Sequence, residues 1–405
     1  MTRYILIIFF ISGFLVFSFQ SREVDYFTPV SGRWSEEKIN QWYAEQPWLV
    51  GANYYPATAI NQIEMWQELT WDPETIDKEL GWAADIGMNT MRVFLHRLVW
   101  LNEKEGLYQR MDEFLDICQK YGIRPWFVFF DDCHYPIPKM GRQPVPVRAF
   151  HNSGWLHCPA RGLALRYAEG KATAREAKSL KAYVQEIMTQ FKDDERVLMW
   201  ELYNEPGRST VEIEYEFYSR KDMMGERSNK LVYDTWVWAR EVNPSQPITS
   251  TAKGSNGKNN IKINRINADL HSIHSYGGVE EITKYIRDYQ SDDRPVMMTE
   301  WLARKDGSTV QDCLPLMKEM KVGAVNWGFV NGKSQTAWDR NSRKDEQGRR
   351  VHPDVRRAAG DTIVIRPGEN YPEPALWFHD LFRVDGTPFS EEEIAIFKKL
   401  TDVNH

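Results

Sequence analysis

The strongest constraint on this chain is an alternation of short, almost wholly apolar runs with amphipathic stretches of helical period. The runs are Trp48 to Pro56 (WLVGANYYP), Asn89 to His96 (NTMRVFLH), Ile123 to Asp132 (IRPWFVFFDD), Arg196 to Pro206 (RVLMWELYNEP), Gln246 to Ala252, Ala268 to Tyr276 (ADLHSIHSY), Arg294 to Arg304 (RPVMMTEWLAR) and Val322 to Gly332 (VGAVNWGFVNG). Strands that are apolar along most of their length are buried on both faces, and strands that alternate with helices pair in parallel. Eight such units predict an α/β fold, a single (β/α)8 TIM barrel over residues 48–405. The rival, an open doubly wound sheet, calls for a glycine-rich turn after its first strand, where this chain has Tyr54-Tyr55-Pro56-Ala57.

The helical stretches carry their own punctuation. Asp72 as N-cap and Pro73 at the first turn open a helix that buries Ile76, Leu80, Ala83 and Ile86 and stops at Gly87. Further stripes run through Leu107, Met111, Phe114, Leu115 and Cys118, and through Leu180, Val184, Ile187, Met188 and Phe191. Residues 230–244, 279–290 and 308–320 also have helical period, and Ser390 with three following Glu opens a closing helix. Two connections are long: residues 133–178 after the third strand, and the loop after the eighth. Within the latter, Arg340 to Arg350 (RNSRKDEQGRR) reads as a solvated loop.

Arg3 followed by the apolar run Tyr4 to Phe19, with Val16 and Ser18 at cleavage spacing, predicts a signal peptide over residues 1–18 and a secreted or periplasmic protein. An uncleaved anchor is the competing reading. Residues 19–47 are then an N-terminal extension packed on the barrel. Lys+Arg is 51 against Asp+Glu 57 with no basic cluster, which argues against a nucleic-acid partner, and no stable membrane partner is expected. The four cysteines divide: Cys118 and Cys313 read as buried thiols, while Cys133 and Cys158 flank a loop and suit a disulfide or, with His134 and His157, a metal site.

In such a barrel, chemistry gathers where strands end. The polar strand ends are Asn53, Tyr54, Arg92, His96, Asp131, Asp132, Asn204, Glu205, His274, Tyr276, Glu300 and Trp327. Two carboxylates, Glu205 and Glu300, end the fourth and seventh strands across the barrel from one another. Glycoside hydrolysis requires such a pair, about 5–5.5 Å apart when one attacks the anomeric carbon and about 6.5–9.5 Å apart when water does. Glu201, by strand alternation, points away from the pocket into an ion pair behind the barrel. His96 and His271 read as structural.

Trp200 to Pro206 (WELYNEP) with Met298 to Trp301 (MTEW) resembles the two signature segments of the clan-A retaining glycoside hydrolases, above all the family 5 group of cellulases and mannanases. The likeness spans about residues 48–400, and the tail WFHDLFRVDGTPF resembles the closing segment of such enzymes. It implies an O-glycosyl hydrolase with Glu205 as general acid/base and Glu300 as nucleophile. It also implies Asn204 on the substrate 2-hydroxyl, Arg92 and Tyr276 orienting Glu300, His274 supporting Glu205, and Trp327 as the floor under the sugar. The family often has a His just after the third strand, where this chain reads Asp131-Asp132-Cys133-His134. The expected partner is an oligo- or polysaccharide, and carboxylate chemistry implies no cofactor. Two other classes compete: a non-catalytic glycan-binding barrel, and a metal-dependent hydrolase using Cys133, His134, His157 and Cys158.

The chain is rich in aromatics, with 16 Trp, 18 Tyr and 19 Phe. Trp82, Trp126, Phe127 and Phe129 read as packing. Tyr54, Tyr55, Trp155, Trp301, Trp327 and Trp338 fall on strand ends and cleft loops, where flat rings suit pyranose faces.

Overall fold

A computed structural model describes residues 25–208, 224–366 and 368–402, and the expected leader lies outside them. The strands are β1 (Val50–Tyr54), β2 (Thr90–Phe94), β3 (Trp126–Asp131), β4 (Trp200–Asn204), β5 (Ile248–Thr249), β6 (Thr251–Lys253), β7 (His271–His274), β8 (Val296–Glu300) and β9 (Gly323–Asn326). They pair in parallel in the order β5-β4-β3-β2-β1-β9-β8-β7-β6. The sheet's two edges are therefore halves of one stretch, interrupted at Ser250, whose hydroxyl donates to the Tyr203 carbonyl at 3.1 Å. Counting β5 and β6 as one stave gives the eight staves of the expected barrel, and β8 is its seventh. Every residue of β1, β2, β4 and β8 is buried, as strands covered on both faces must be.

The helices among the described residues are α1 (Glu36–Ala44), α2 (Gln62–Trp66), α3 (Pro73–Asp85), α4 (Arg97–Lys120), α5 (Arg161–Ala168), α6 (Ala174–Phe191), α7 (Asn229–Val242), α8 (Lys258–Asn267), α9 (Val279–Gln290), α10 (Val310–Glu319), α11 (Pro353–Ala358) and α12 (Glu391–Leu400). Asp72 caps α3 by accepting from Thr75 N–H, and Ser390 caps α12 by accepting from Glu393 N–H. Thr173 and Glu176 close a reciprocal capping box on α6.

Below the barrel, Trp34 and Ile39 join Leu49, Trp126, Leu198 and Met297 in a second apolar cluster that seals the N-terminal end of the strands. Arg33 donates to the Ala268 carbonyl and Trp34 N–H to Asp269, which ties this N-terminal segment to the barrel base. Above the barrel, the connection after β3 and the one after β9 brace each other. Arg357 donates to the carbonyls of Val145 and Ser153, Gln335 to that of Val147, and Asn152 N–H to that of Ser334.

Arg304 fastens the tail to this rim. Its guanidinium pairs with Glu393 at 2.5 Å and also donates to the carbonyls of His379 and Asp380, with both side chains of the ion pair 4% exposed. Breaking a buried pair leaves one uncompensated charge, which costs about 3–5 kcal/mol. Arg304→Ala is expected to lower the unfolding free energy by that order, read as a drop in the denaturant midpoint with the m-value unchanged. A midpoint within experimental error of wild type overturns the assignment of Arg304 as the anchor of the tail.

Candidate active site

The strand ends deliver both carboxylates to one cavity of about 200 Å³. A carboxylate oxygen of Glu205, one of Glu300 and a ring nitrogen of His274 all lie within 4.8 Å of one another. Glu205, just past β4, has φ 39°, a left-handed conformation that costs a non-glycine residue energy and aims the side chain off the strand line into the cavity. Gly254 makes the space: a Cβ there would meet Glu205 Oε1 at 2.9 Å and His274 Nδ1 at 3.0 Å.

Glu300 is held from two sides. Arg92 Nη1 donates to Oε1 at 2.8 Å and the Tyr276 hydroxyl donates to Oε2 at 2.6 Å. Burial, then the neighbouring Glu300 charge, pushes the Tyr276 hydroxyl well above its ordinary value, so it stays a donor. His274 Nδ1 lies 2.9 Å from Glu205 Oε1 and 3.4 Å from Glu300 Oε2, between the two acids.

Arg92 is fully buried and does not reach the cavity. It donates twice to Glu201 at 2.7 Å, to Asn204 Oδ1 at 2.7 Å and to Asn53 Oδ1 at 2.8 Å, so it positions the acids and does not touch substrate. This corrects the placing of Glu201 behind the barrel. Strict alternation sends residues 201 and 204 to opposite faces, yet both accept from one guanidinium inside the barrel. Trp126 Nε1 and the Thr251 hydroxyl also donate to Glu201. Burial opposes the charged form of Glu201, but Arg92 outweighs it and holds the carboxyl below its usual range.

Asn204 lines the cavity with its amide committed to the protein, donating to Asp131 at 3.0 Å and to Cys133 Sγ at 3.3 Å. Asp131 also accepts from Trp155 Nε1 at 2.7 Å and Cys133 N–H at 2.8 Å, and burial pushes it up to about 7 despite these donors. Glu205 behaves oppositely. Burial favours its neutral form, but Arg208 Nη1 at 2.7 Å from Oε2, His274, and the Ser255 N–H at 3.2 Å together hold it well below the usual carboxylate range.

Several expectations are corrected. Cys133 and Cys158 are free thiols: Cys133 Sγ points to Glu205 and Arg208, while Cys158 Sγ accepts from Arg97 N–H. The Cys133, His134, His157, Cys158 group does not converge, since His157 Nε2 faces Arg161 at 2.8 Å; among the described residues the metal-compatible group is Glu205, His274 and Glu300 itself. Tyr54 is buried, donating to Glu79 behind the sheet, and Trp301 is core. Trp338 lines a neighbouring cavity, its Nε1 donating to the Pro372 carbonyl and its own carbonyl 2.7 Å from the His151 ring. Arg340 and Arg343 are no solvated loop: both line the cavity, and Arg343 is 4% exposed.

Of the expected aromatic platforms, Trp155 and Trp327 line the cavity, 5.5 Å apart and edge to face. His134 is there too, kept neutral by burial and then by Arg208 and Arg343. Sequence reading missed Arg208, Lys253, His151 and His379, which also line the cavity, along with Asn152, Ser255, Ser275 and Glu281. Arg208, three residues past Glu205 on the same turn, was the one with a readable signal.

The family model described as cellulase (glycosyl hydrolase family 5) matches residues 51–333. No curated protein matches the chain. Among solved structures, GH5_18 from Streptomyces cattleya in complex with GlcNAc is 13% identical, with 79% of this chain and 82% of that one covered at a TM-score of 0.52. The glycoside hydrolase family 5 mannosidase from Rhizomucor miehei is 11% identical, with 88% and 93% covered at a TM-score of 0.50. At these identities the structures speak for the fold. The family model, spanning the barrel from β1 past β9 and including both carboxylate-bearing strand ends, identifies the chain as a member of glycosyl hydrolase family 5, an O-glycosyl hydrolase of the retaining kind.

Proposed function

We propose that this enzyme cleaves a β-linked glycan by double displacement, with Glu300 as nucleophile and Glu205 as general acid and then base. The observation that carries the reading is that an oxygen of Glu205 and one of Glu300 lie within 4.8 Å of each other, the close approach expected of the retaining arrangement, about 5–5.5 Å between carboxyls, and not of one with an interposed water. Glu300 attacks the anomeric carbon while Glu205 gives its proton to the departing glycosidic oxygen, leaving a glycosyl ester on Glu300. Water then attacks that carbon, Glu205 takes its proton, and the carboxylate of Glu300 leaves. Arg92 and the Tyr276 hydroxyl grip the two oxygens of Glu300 and aim it for the first step. Trp327, 7% exposed on the cavity wall, offers its ring to the apolar face of the sugar.

The family's description as cellulase supports a plant-type β-glycan backbone of the glucan, mannan or xylan kind. The apolar run after Arg3 supports export to the periplasm or the medium.

Glu300→Ala is expected to lose activity on aryl β-glycosides by a factor beyond about 10⁴, with azide or formate restoring part of it. Full activity in that variant overturns the mechanism. Glu205→Ala is expected to lose about 10²–10⁴-fold on glycans with poor leaving groups and far less on activated aryl glycosides, because only the former need the proton. Equal losses on both, measured as kcat/KM, remove Glu205 from the acid role.

A further inference from the structure

Two histidines at the cavity wall have no part in the proton transfers described above. His151 comes from the connection after β3 and His379 from the tail, yet their ring centroids lie 5.3 Å apart at an interplanar angle of 56°. Both line the cavity that holds Glu205 and Glu300, and they are only 4% and 1% exposed. The His379 ring also stands 5.4 Å from that of Tyr276, whose hydroxyl donates to Glu300, so the pair reaches the nucleophile's side of the cavity.

Each ring is fixed in the same way. His151 Nδ1 lies 2.7 Å from the Trp338 carbonyl, and His379 Nδ1 meets the Leu302 carbonyl. A carbonyl only accepts, so both Nδ1 atoms carry a proton and donate it. Burial, the largest influence on either ring, holds both well below the ordinary histidine value, so the rings are uncharged at about pH 7. A neutral imidazole has one such proton, and with it on Nδ1 each Nε2 is a bare acceptor. Among the described residues no donor meets either Nε2, and neither atom is sealed away from the cavity. Polar groups this deep in a protein are normally satisfied. Two acceptors of fixed tautomer, side by side at a binding cavity and met by nothing in the protein, are set for a ligand that brings protons.

We propose that His151 and His379 form an acceptor pair that selects the sugar at the cleavage point, each Nε2 receiving the proton of one of its hydroxyls. The inference rests on the glycosidase reading above and adds the residues that choose among sugars. A sugar with hydrogen or an ether oxygen at either position brings no proton and leaves an acceptor unmet, and a site built to bond a hydroxyl rejects the analogue that lacks it.

The test is a coupling measurement. Wild-type kcat/KM is taken on whichever of the 2,4-dinitrophenyl β-glycosides of glucose, mannose, galactose and xylose is cleaved fastest, and on its monodeoxy and monodeoxyfluoro forms at each hydroxyl. The series is repeated on His151→Asn and on His379→Asn. Asparagine keeps an N–H for the carbonyl that Nδ1 serves and deletes Nε2; His→Phe at the same positions, which keeps a ring against Phe378, replaces a variant that does not fold. The effect of losing a hydroxyl in wild type, divided by its effect in the variant, cancels the intrinsic reactivity of each sugar and the folded fraction of each preparation.

For at least one hydroxyl per histidine that quotient is expected to be about threefold to tenfold, the size of a hydrogen bond between uncharged groups. Fluorine is expected to act like hydrogen, because it brings no proton. A quotient of one at every position for either histidine overturns the proposal, and a merely structural role gives that result by slowing the whole series alike. Coupling that fluorine preserves overturns it too, since the ring is then the donor. A histidine whose Nδ1 is tied to a carbonyl is also set to bind a metal, so coupling that EDTA abolishes assigns the pair to an ion and overturns the proposal. No turnover of any of the four glycosides overturns it as well, because recognition is placed in that sugar. An active Glu300→Ala variant sinks the double-displacement reading and leaves the measured coupling standing, so the two failures are distinguishable.

Discussion

The guanidinium of Arg92 is the contact on which the upper barrel depends. It is fully buried, and its donors reach β1 through Asn53, β4 through Glu201 and Asn204, and β8 through Glu300. One planar fork therefore sets the relative position of four side chains on three strands, which a flexible ammonium does not do. The arrangement survives burial because the cation is met by two carboxylates, and those acids are in turn met by further donors: Trp126 and Thr251 on Glu201, Tyr276 on Glu300. The strand-end chemistry is thus built on a saturated polar network beneath it, and the apolar cluster around Trp34 and Trp126 closes the barrel below that network.

How much of this was legible in sequence follows from which forces leave a periodic trace. The eight staves were readable because their residues are apolar on both faces, and α3, α4, α6 and α9 because each buries an apolar stripe. The helix α8 was not, since the face it buries is mostly asparagine, with Ile263 its one buried apolar side chain: Asn264 accepts from Trp236 Nε1 and donates to the Thr251 carbonyl, and Asn260 donates to Asn229. Hydrogen bonds replaced hydrophobic contact there, and no hydropathy pattern records them. The strand-end acids with His274 and Tyr276 were readable by position. Glu201 was misplaced because alternation assumes a regular strand, and Arg340 and Arg343 because a run of charges looks the same in solvent and in a cavity wall closed by a distant loop.

The aromatic excess divides along the same line. Tyr54 and Trp301 are core, whereas Trp155 and Trp327 form an edge-to-face wall with Phe94. That wall is coupled to the acid strand by one carboxyl: Asp131 accepts from the Trp155 indole and from the Asn204 amide. The Trp155 ring on the cavity wall and Asn204, which precedes Glu205, are therefore held by the same group, so the wall and the strand end that carries Glu205 keep one register.

Both carboxylates at the cavity are paired with arginine, and the two pairings differ in kind. Arg92 is sealed under the floor and bound to several acceptors, so its charge is a fixed part of the fold beside Glu300. Arg208 approaches Glu205 from the cavity side, where it lines the wall, and shares its donor with Cys133. A nucleophile must stay charged throughout the approach of the sugar, whereas an acid must be charged at one stage and neutral at another. A buried counter-charge suits the first requirement and a cavity-side one suits the second, so the depths of the two arginines fit the roles proposed for Glu300 and Glu205.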